Sequence, residues 1–130
     1  DVYKRQHGEE LFKLVSDAKV LIYPSHRDSF ALTVLEALAL GLNVVTYNIP
    51  AITYIYKGLP PVSIVEKGDW RSLAIQTIKS LLLPEKEVVK MHTSKVMLEF
   101  LKFYSSWENV AMAEFKLLKK FFLRSMKHQS

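Results

Sequence analysis

Residues 24–41 read PSHRDSFALTVLEALALG. A polar knot, Ser25 to Ser29, opens a stretch that from Ser29 to Leu40 has helical spacing and is apolar almost all round, so a largely buried helix is expected there. Gly41 stands where a helix end wants a residue tolerant of positive φ. Before the knot, Lys19-Val20-Leu21-Ile22-Tyr23 is a short β-branched run closed by Pro24, and after the glycine Asn43-Val44-Val45-Thr46-Tyr47 is a second. Strand, loop, buried helix and strand in that order imply parallel strands joined by a crossover, hence an α/β sheet.

The same alternation extends outward. Residues 9–17 carry Leu11, Phe12, Leu14 and Val15 at helical spacing. Asn48-Ile49-Pro50 turns into a short helix at 51–57, and Val62 to Val65 is a third strand. Asp69 is placed to cap a helix from Trp70 to about Leu83, with Leu73, Ile75, Ile78, Leu81 and Leu82 as its inward face and Pro84 as its stop. Two further amphipathic helices fill roughly 85–103 and 106–124. Three strands make a small sheet, expected to continue into sequence upstream of residue 1, since the chain begins Asp1-Val2-Tyr3 without Met.

Composition narrows the function classes. With 130 residues, 49% hydrophobic and 24% charged, the chain is one globular domain or part of one. It has no cysteine, which excludes disulfides and thiolate metal sites. No apolar run reaches the roughly 18 residues of a membrane span, and no signal peptide is evident; a cytoplasmic protein is expected, with its cytoplasmic membrane face as an alternative seat. The net charge of +5 resides in the tail, where Lys116, Lys119, Lys120, Arg124 and Lys127 occur without an acid. That local signal is unlike a nucleic-acid-binding surface.

Two carboxylates carry the functional question. Asp28 sits at the helix mouth, and Glu36 is the only charge from Ser29 to Asn48. Ligands of open α/β sheets bind where strands feed helix N-termini. At such an end the amides of Phe30, Ala31 and Leu32 would face a bound anion, phosphate being the commonest. Asp28 beside a phosphate would be repelled, so it would face a neutral part of a ligand such as sugar hydroxyls, or simply cap the helix. Glu36, two turns along, suits a vicinal diol such as a ribose, or else is a solvated outer position, although Leu32, Thr33, Ala39 and Leu40 around it make no polar face.

Taken together, Pro24-Ser25, Asp28 to Leu32, Leu35 to Leu38, Ala39-Leu40-Gly41 and Val44-Val45 resemble the donor-binding motif of retaining GT-B glycosyltransferases, most nearly family 4 (glycosyl transferases group 1). Ile49 to Ile52 stands where that family has a Gly-Gly-Ile segment. Lys67-Gly68-Asp69 with Leu73-Ala74 matches its next helix start, and Ser105 to Ala111 its C-terminal element. The resemblance spans roughly residues 9–122. It implies a Rossmann-like parallel sheet with flanking helices, the C-terminal half of a GT-B fold cut short at its N-terminal side, with residues 1–130 a partial nucleotide-sugar-binding domain. It implies retaining transfer of a hexose from a nucleotide-diphosphate sugar by front-face attack, without a bound metal or cofactor. Asp28 and Glu36 would be the catalytic acids, Glu36 holding the ribose. Ser25, Ser29, Phe30, Ala31, Leu32 and Thr33 would complete the donor site. The N-terminal acceptor domain would be absent, leaving this chain inactive alone.

Several residues depart from the family pattern: Asp28 replaces a Glu, Ala31 a Gly, Asn43 a Pro, and Pro50-Ala51 a Gly-Gly pair. His26, Arg27 and Lys57 read as solvated rather than as phosphate ligands, and His7, His92 and His128 have no metal-ligand spacing. Trp70 and Trp107 are expected to pack helices, and the Phe, Leu and Met positions of the last two helices to form core. The basic last helix would cross back to an N-terminal domain or make a peripheral contact with an anionic membrane. Two rival readings stay open: a nucleotide-sugar epimerase of the same fold, and a non-catalytic binding or scaffold module.

Overall fold

A computed structural model describes residues 8–127, with side chains up to position 119. The chain forms two compact units, residues 1–97 and 98–130. The expectations placed on residues 1–7, on His128 and on the side chains of Lys120, Phe121, Phe122, Leu123, Arg124 and Lys127 lie outside the described residues.

The first unit is a Rossmann-like α/β layer. Its elements run α1 (Glu9–Ser16), β1 (Val20–Tyr23), α2 (Leu32–Ala39), β2 (Asn43–Tyr47), α3 (Pro50–Ile55), β3 (Val62–Val65), α4 (Trp70–Leu81) and α5 (Glu85–His92). The strands form a parallel sheet in the order β1-β2-β3, with Val20 opposite Asn43 and Val44 opposite Val62. All five β2 residues are buried, so both faces of the middle strand are covered, as a parallel sheet requires. The helices packed on it are α2 and α4. Val34, Leu38, Val44, Val45, Ile49 and Ile52 are the centre of this core, each burial contributing about 1.5–3 kcal/mol.

Local signals end the helices where the sequence suggests. Gly41, at φ 84°, closes α2: its amide donates to the Leu38 carbonyl at 3.1 Å and that of Leu42 to Ala37 at 3.0 Å, the paired bonds of a Schellman turn. Asp69 caps α4, accepting from the Ser72 amide at 3.0 Å and its hydroxyl at 2.6 Å, which holds its carboxyl below the usual range.

Three expectations about α2 and α4 are corrected. Helix α2 begins at Leu32, not Ser29, because Asp28 bonds the backbone just before it into a turn. It is buried on one face only, through Val34, Ala37 and Leu38, while Leu32, Thr33 and Ala39 are exposed. Helix α1 has no buried residue. On α4 the buried positions are Leu73 and Thr77, and Ile75, Ile78, Leu81 and Leu82 are exposed. Thr77 occupies the inward stripe four residues after Leu73 and returns its hydroxyl to the Leu73 carbonyl at 2.8 Å, so burial leaves no unmet polar group there.

The segment 85–103 is not one helix. Helix α5 stops at His92 and α6 (Lys95–Tyr104) begins three residues on. Thr93 donates its hydroxyl to the Val89 carbonyl at 2.7 Å and Ser94 to Met91 at 2.8 Å, side-chain bonds that compete with continuing the backbone ladder. In the second unit, α7 (Trp107–Lys127) follows a turn in which the Ser105 hydroxyl and Asn109 Nδ2 both donate to the Lys102 carbonyl, at 2.7 and 3.1 Å. Ser106 Oγ accepts from the Glu108 amide at 3.1 Å, an N-cap. Phe103, Met112, Phe115, Leu117 and Leu118 are exposed rather than core, as are both tryptophans; Trp70 instead carries the Arg71 guanidinium 5.3 Å above its ring.

Candidate functional site

The carboxyl end of β1 leads through residues 24–31 to α2, and two tyrosines hold this loop. Tyr23, the last residue of β1, donates its hydroxyl to Asp28 Oδ2. Asp28 Oδ1 in turn accepts from the Phe30 amide at 3.0 Å and the Ala31 amide at 2.9 Å. Those three donors, the tyrosine foremost, hold the Asp28 carboxyl at about 2 against a usual 3.8. Burial, and then its bond to Asp28, pushes the Tyr23 phenol up.

Tyr56 grips the loop from the other side. It follows α3, is fully buried, and directs its hydroxyl at the carbonyls of Phe30 (3.0 Å) and Ala31 (3.1 Å). Its ring meets that of Phe30 edge-on at 6.2 Å. Asp28 as acceptor and Tyr56 as donor therefore account for both amides and both carbonyls of the Phe30-Ala31 pair, and the Ala31 carbonyl also accepts from the Val34 amide at 2.9 Å. Under that double hold Ala31 adopts φ 58°, ψ 56°, the left-handed region that costs a residue with a Cβ roughly 1–2 kcal/mol. A glycine has no such cost at this position, so the Ala31 departure is one of backbone conformation as well as of room.

The loop's geometry decides which amides face outward. Those of Phe30 and Ala31, expected to be free, are taken by Asp28. Among the described residues the amides of Leu32 and Thr33 have no partner. The hydroxyls of Ser29 and Thr33 have none either. Ser25 is spent locally, its hydroxyl donating to the Arg27 carbonyl at 2.9 Å. His26 is exposed in the loop, with its ring 5.3 Å from that of Tyr47 at the end of β2.

Glu36 lies one turn after Leu32 and Thr33, about 5–6 Å along the axis and on the same side of the helix. It is half-buried, and its carboxylate makes no hydrogen bond or ion pair with any described residue. Thus the two acids differ. Asp28 is consumed in shaping the loop, with little accepting capacity left, whereas Glu36 is an open bidentate acceptor beside two open backbone donors. Such a face can take an anion at the helix start and a diol one turn further on.

The tyrosines were missed by pattern reading. A signal was present: Tyr23 ends an apolar strand and Tyr56 closes a short helix, and a buried phenol seeks a partner. What they hold was not visible, because Tyr56 reaches across 25 residues of sequence to Ala31.

A family model described as Glycosyl transferases group 1 matches residues 1–94. That span includes the sheet, the loop and α1 to α5, and leaves the Ser105–Ala111 segment outside it. No curated protein matches the chain.

Proposed function

This chain belongs to the glycosyl transferases group 1 family, whose chemistry is glycosyl transfer, and from that premise we propose that it binds the nucleotide-diphosphate sugar donor of a retaining GT-B enzyme. The amides of Leu32 and Thr33 receive the diphosphate side of the donor. Glu36 accepts the two ribose hydroxyls, and Ser29 and Thr33 offer further hydrogen bonds. Asp28 acts chiefly by holding the loop, with the remaining lone pair of Oδ2 turned to a donor hydroxyl. The donor is a hexose, the acceptor is bound by a second domain, and no metal takes part. Transfer proceeds by front-face attack: the acceptor oxygen bonds to the anomeric carbon on the side from which the diphosphate departs. The departing phosphate takes the acceptor's proton, so no side-chain nucleophile is needed. The basic last helix serves either an N-terminal domain or an anionic membrane at the cytoplasmic face.

One observation carries this reading: a carboxylate, Glu36, unpaired among the described residues and one turn beyond two amides likewise unpartnered among them, on the same side of α2. An amide-resolved NMR titration of the 130-residue chain with UDP, GDP and ADP tests it. One nucleotide should shift Leu32, Thr33 and Glu36 saturably, and Glu36→Gln should weaken that binding about tenfold or more, the worth of a charge-assisted hydrogen-bond pair. Absence of such shifts, or equal affinity in Glu36→Gln, would replace the donor site with a scaffold role.

A further inference from the structure

The opposite end of the sheet holds a cavity of about 370 Å³, a size that suits a small molecule. Lys19 and Asn43 line it from the strand starts, Leu81 and Leu83 from the end of α4, and Glu85 and Val88 from α5. Asn43 and Tyr47 bound β2, so about 13 Å of strand separates this cavity from the loop end.

Asn43 distinguishes the cavity from a surface crevice. It is 2% exposed, and one end of its amide meets His92 Nε2 at 3.2 Å. Burial holds His92 below the ordinary imidazole range, favouring the neutral ring. The other end of the Asn43 amide has no partner among the described residues. A buried amide left so is costly, and a ligand in the cavity would satisfy it. At the rim, Lys19 and Glu85 are exposed, opposite in charge, and neither forms an ion pair with any described residue. Leu81, Leu83 and Val88 supply an apolar surface between them.

We propose that this cavity binds a small zwitterion with an apolar side chain, of the chemical class of a free hydrophobic amino acid. Its carboxylate accepts from the Asn43 amide and faces Lys19. Its ammonium faces Glu85. Its side chain lies on Leu81, Leu83 and Val88. A ligand with one charge would meet a like charge at the rim, and a neutral polyol would leave both charges unused.

The test is an amide titration of the whole chain with L-leucine, compared with isoamylamine and 4-methylpentanoate, which keep its side chain but only one charge each. Leucine should shift Lys19, Gly41, Asn43 and Ser80 saturably, at least about tenfold more tightly than either comparator, without moving Leu32, Thr33 or Glu36. Lys19→Gln and Glu85→Gln, both at exposed positions and so compatible with folding, should each weaken leucine binding by about fivefold, as expected for exposed charge pairs. No saturation with leucine, comparators that bind equally, or rim variants without effect would leave the cavity to water and overturn the proposal.

Discussion

Replacing Tyr56 by Phe removes one hydroxyl and leaves the ring. That hydroxyl lies 3.0 and 3.1 Å from the Phe30 and Ala31 carbonyls, and Tyr56 is fully buried while Ala31 is 1% exposed. The variant loses a hydrogen bond with a net worth of about 1 kcal/mol, while the Ala31 carbonyl keeps the Val34 amide at 2.9 Å. A destabilisation of about 1 kcal/mol is expected. With a urea m-value of about 1–3 kcal/mol per molar, the unfolding midpoint should fall by roughly 0.5 M at unchanged m. The loop should also loosen, since Ala31 is held left-handed only by its neighbours, and loss of that hold would misdirect the Leu32 and Thr33 amides. Nucleotide affinity measured on the folded variant should therefore drop as well. A loss of stability under about 0.5 kcal/mol would mean that water already satisfies these carbonyls, and the two-sided clamp would be refuted.

Ala31→Val should destabilise by about 2–3 kcal/mol, because a β-branched residue is an outlier at positive φ and the site is packed; thermal or urea unfolding tests this, and a neutral result would show that the left-handed turn is not required. Acid unfolding tests the Asp28 clamp: its folded pKa of about 2 lies below the ordinary 3.8, so the unfolded chain takes up the proton first. Its stabilisation should be intact above about pH 4 and should fade as pH falls toward 2. Asp28→Asn should lack that portion of the pH dependence, and parallel pH profiles for the two proteins would contradict it. Glu36→Gln should leave stability within about 0.5 kcal/mol of the parent while weakening nucleotide binding; a large stability loss would place Glu36 in an unseen structural contact.

The strands, the close of α2 and the start of α4 were legible because their causes are local. Short β-branched runs bounded by proline or glycine, a glycine after the last helical turn and an aspartate three residues before a serine act within a few residues of themselves. Helix faces were less legible. Ile75, Ile78 and Leu82 have the spacing of an inward stripe, yet Thr77 is buried and they are not, since hydrophobic periodicity names a stripe without saying which neighbour arrives to cover it. The break at Thr93-Ser94 was hidden for a different reason: both residues tolerate a helix, and only their side-chain bonds to Val89 and Met91 show that this one ends.

The sequence by itself determined the α/β class, the place of the loop between β1 and α2, and the presence of an acid on either side of the helix start. It left Asp28 and Glu36 as similar candidates, since a carboxylate's environment is not written in its neighbours along the chain. Tertiary structure separated them. The loop folds back so that Tyr23 and two amides converge on Asp28, and α3 brings Tyr56 beneath the same turn. Glu36 remains on the outer side of α2, unpaired among the described residues. A carboxylate already surrounded by donors has little capacity for a ligand, and one without donors keeps all of it; that difference arises only when distant segments meet.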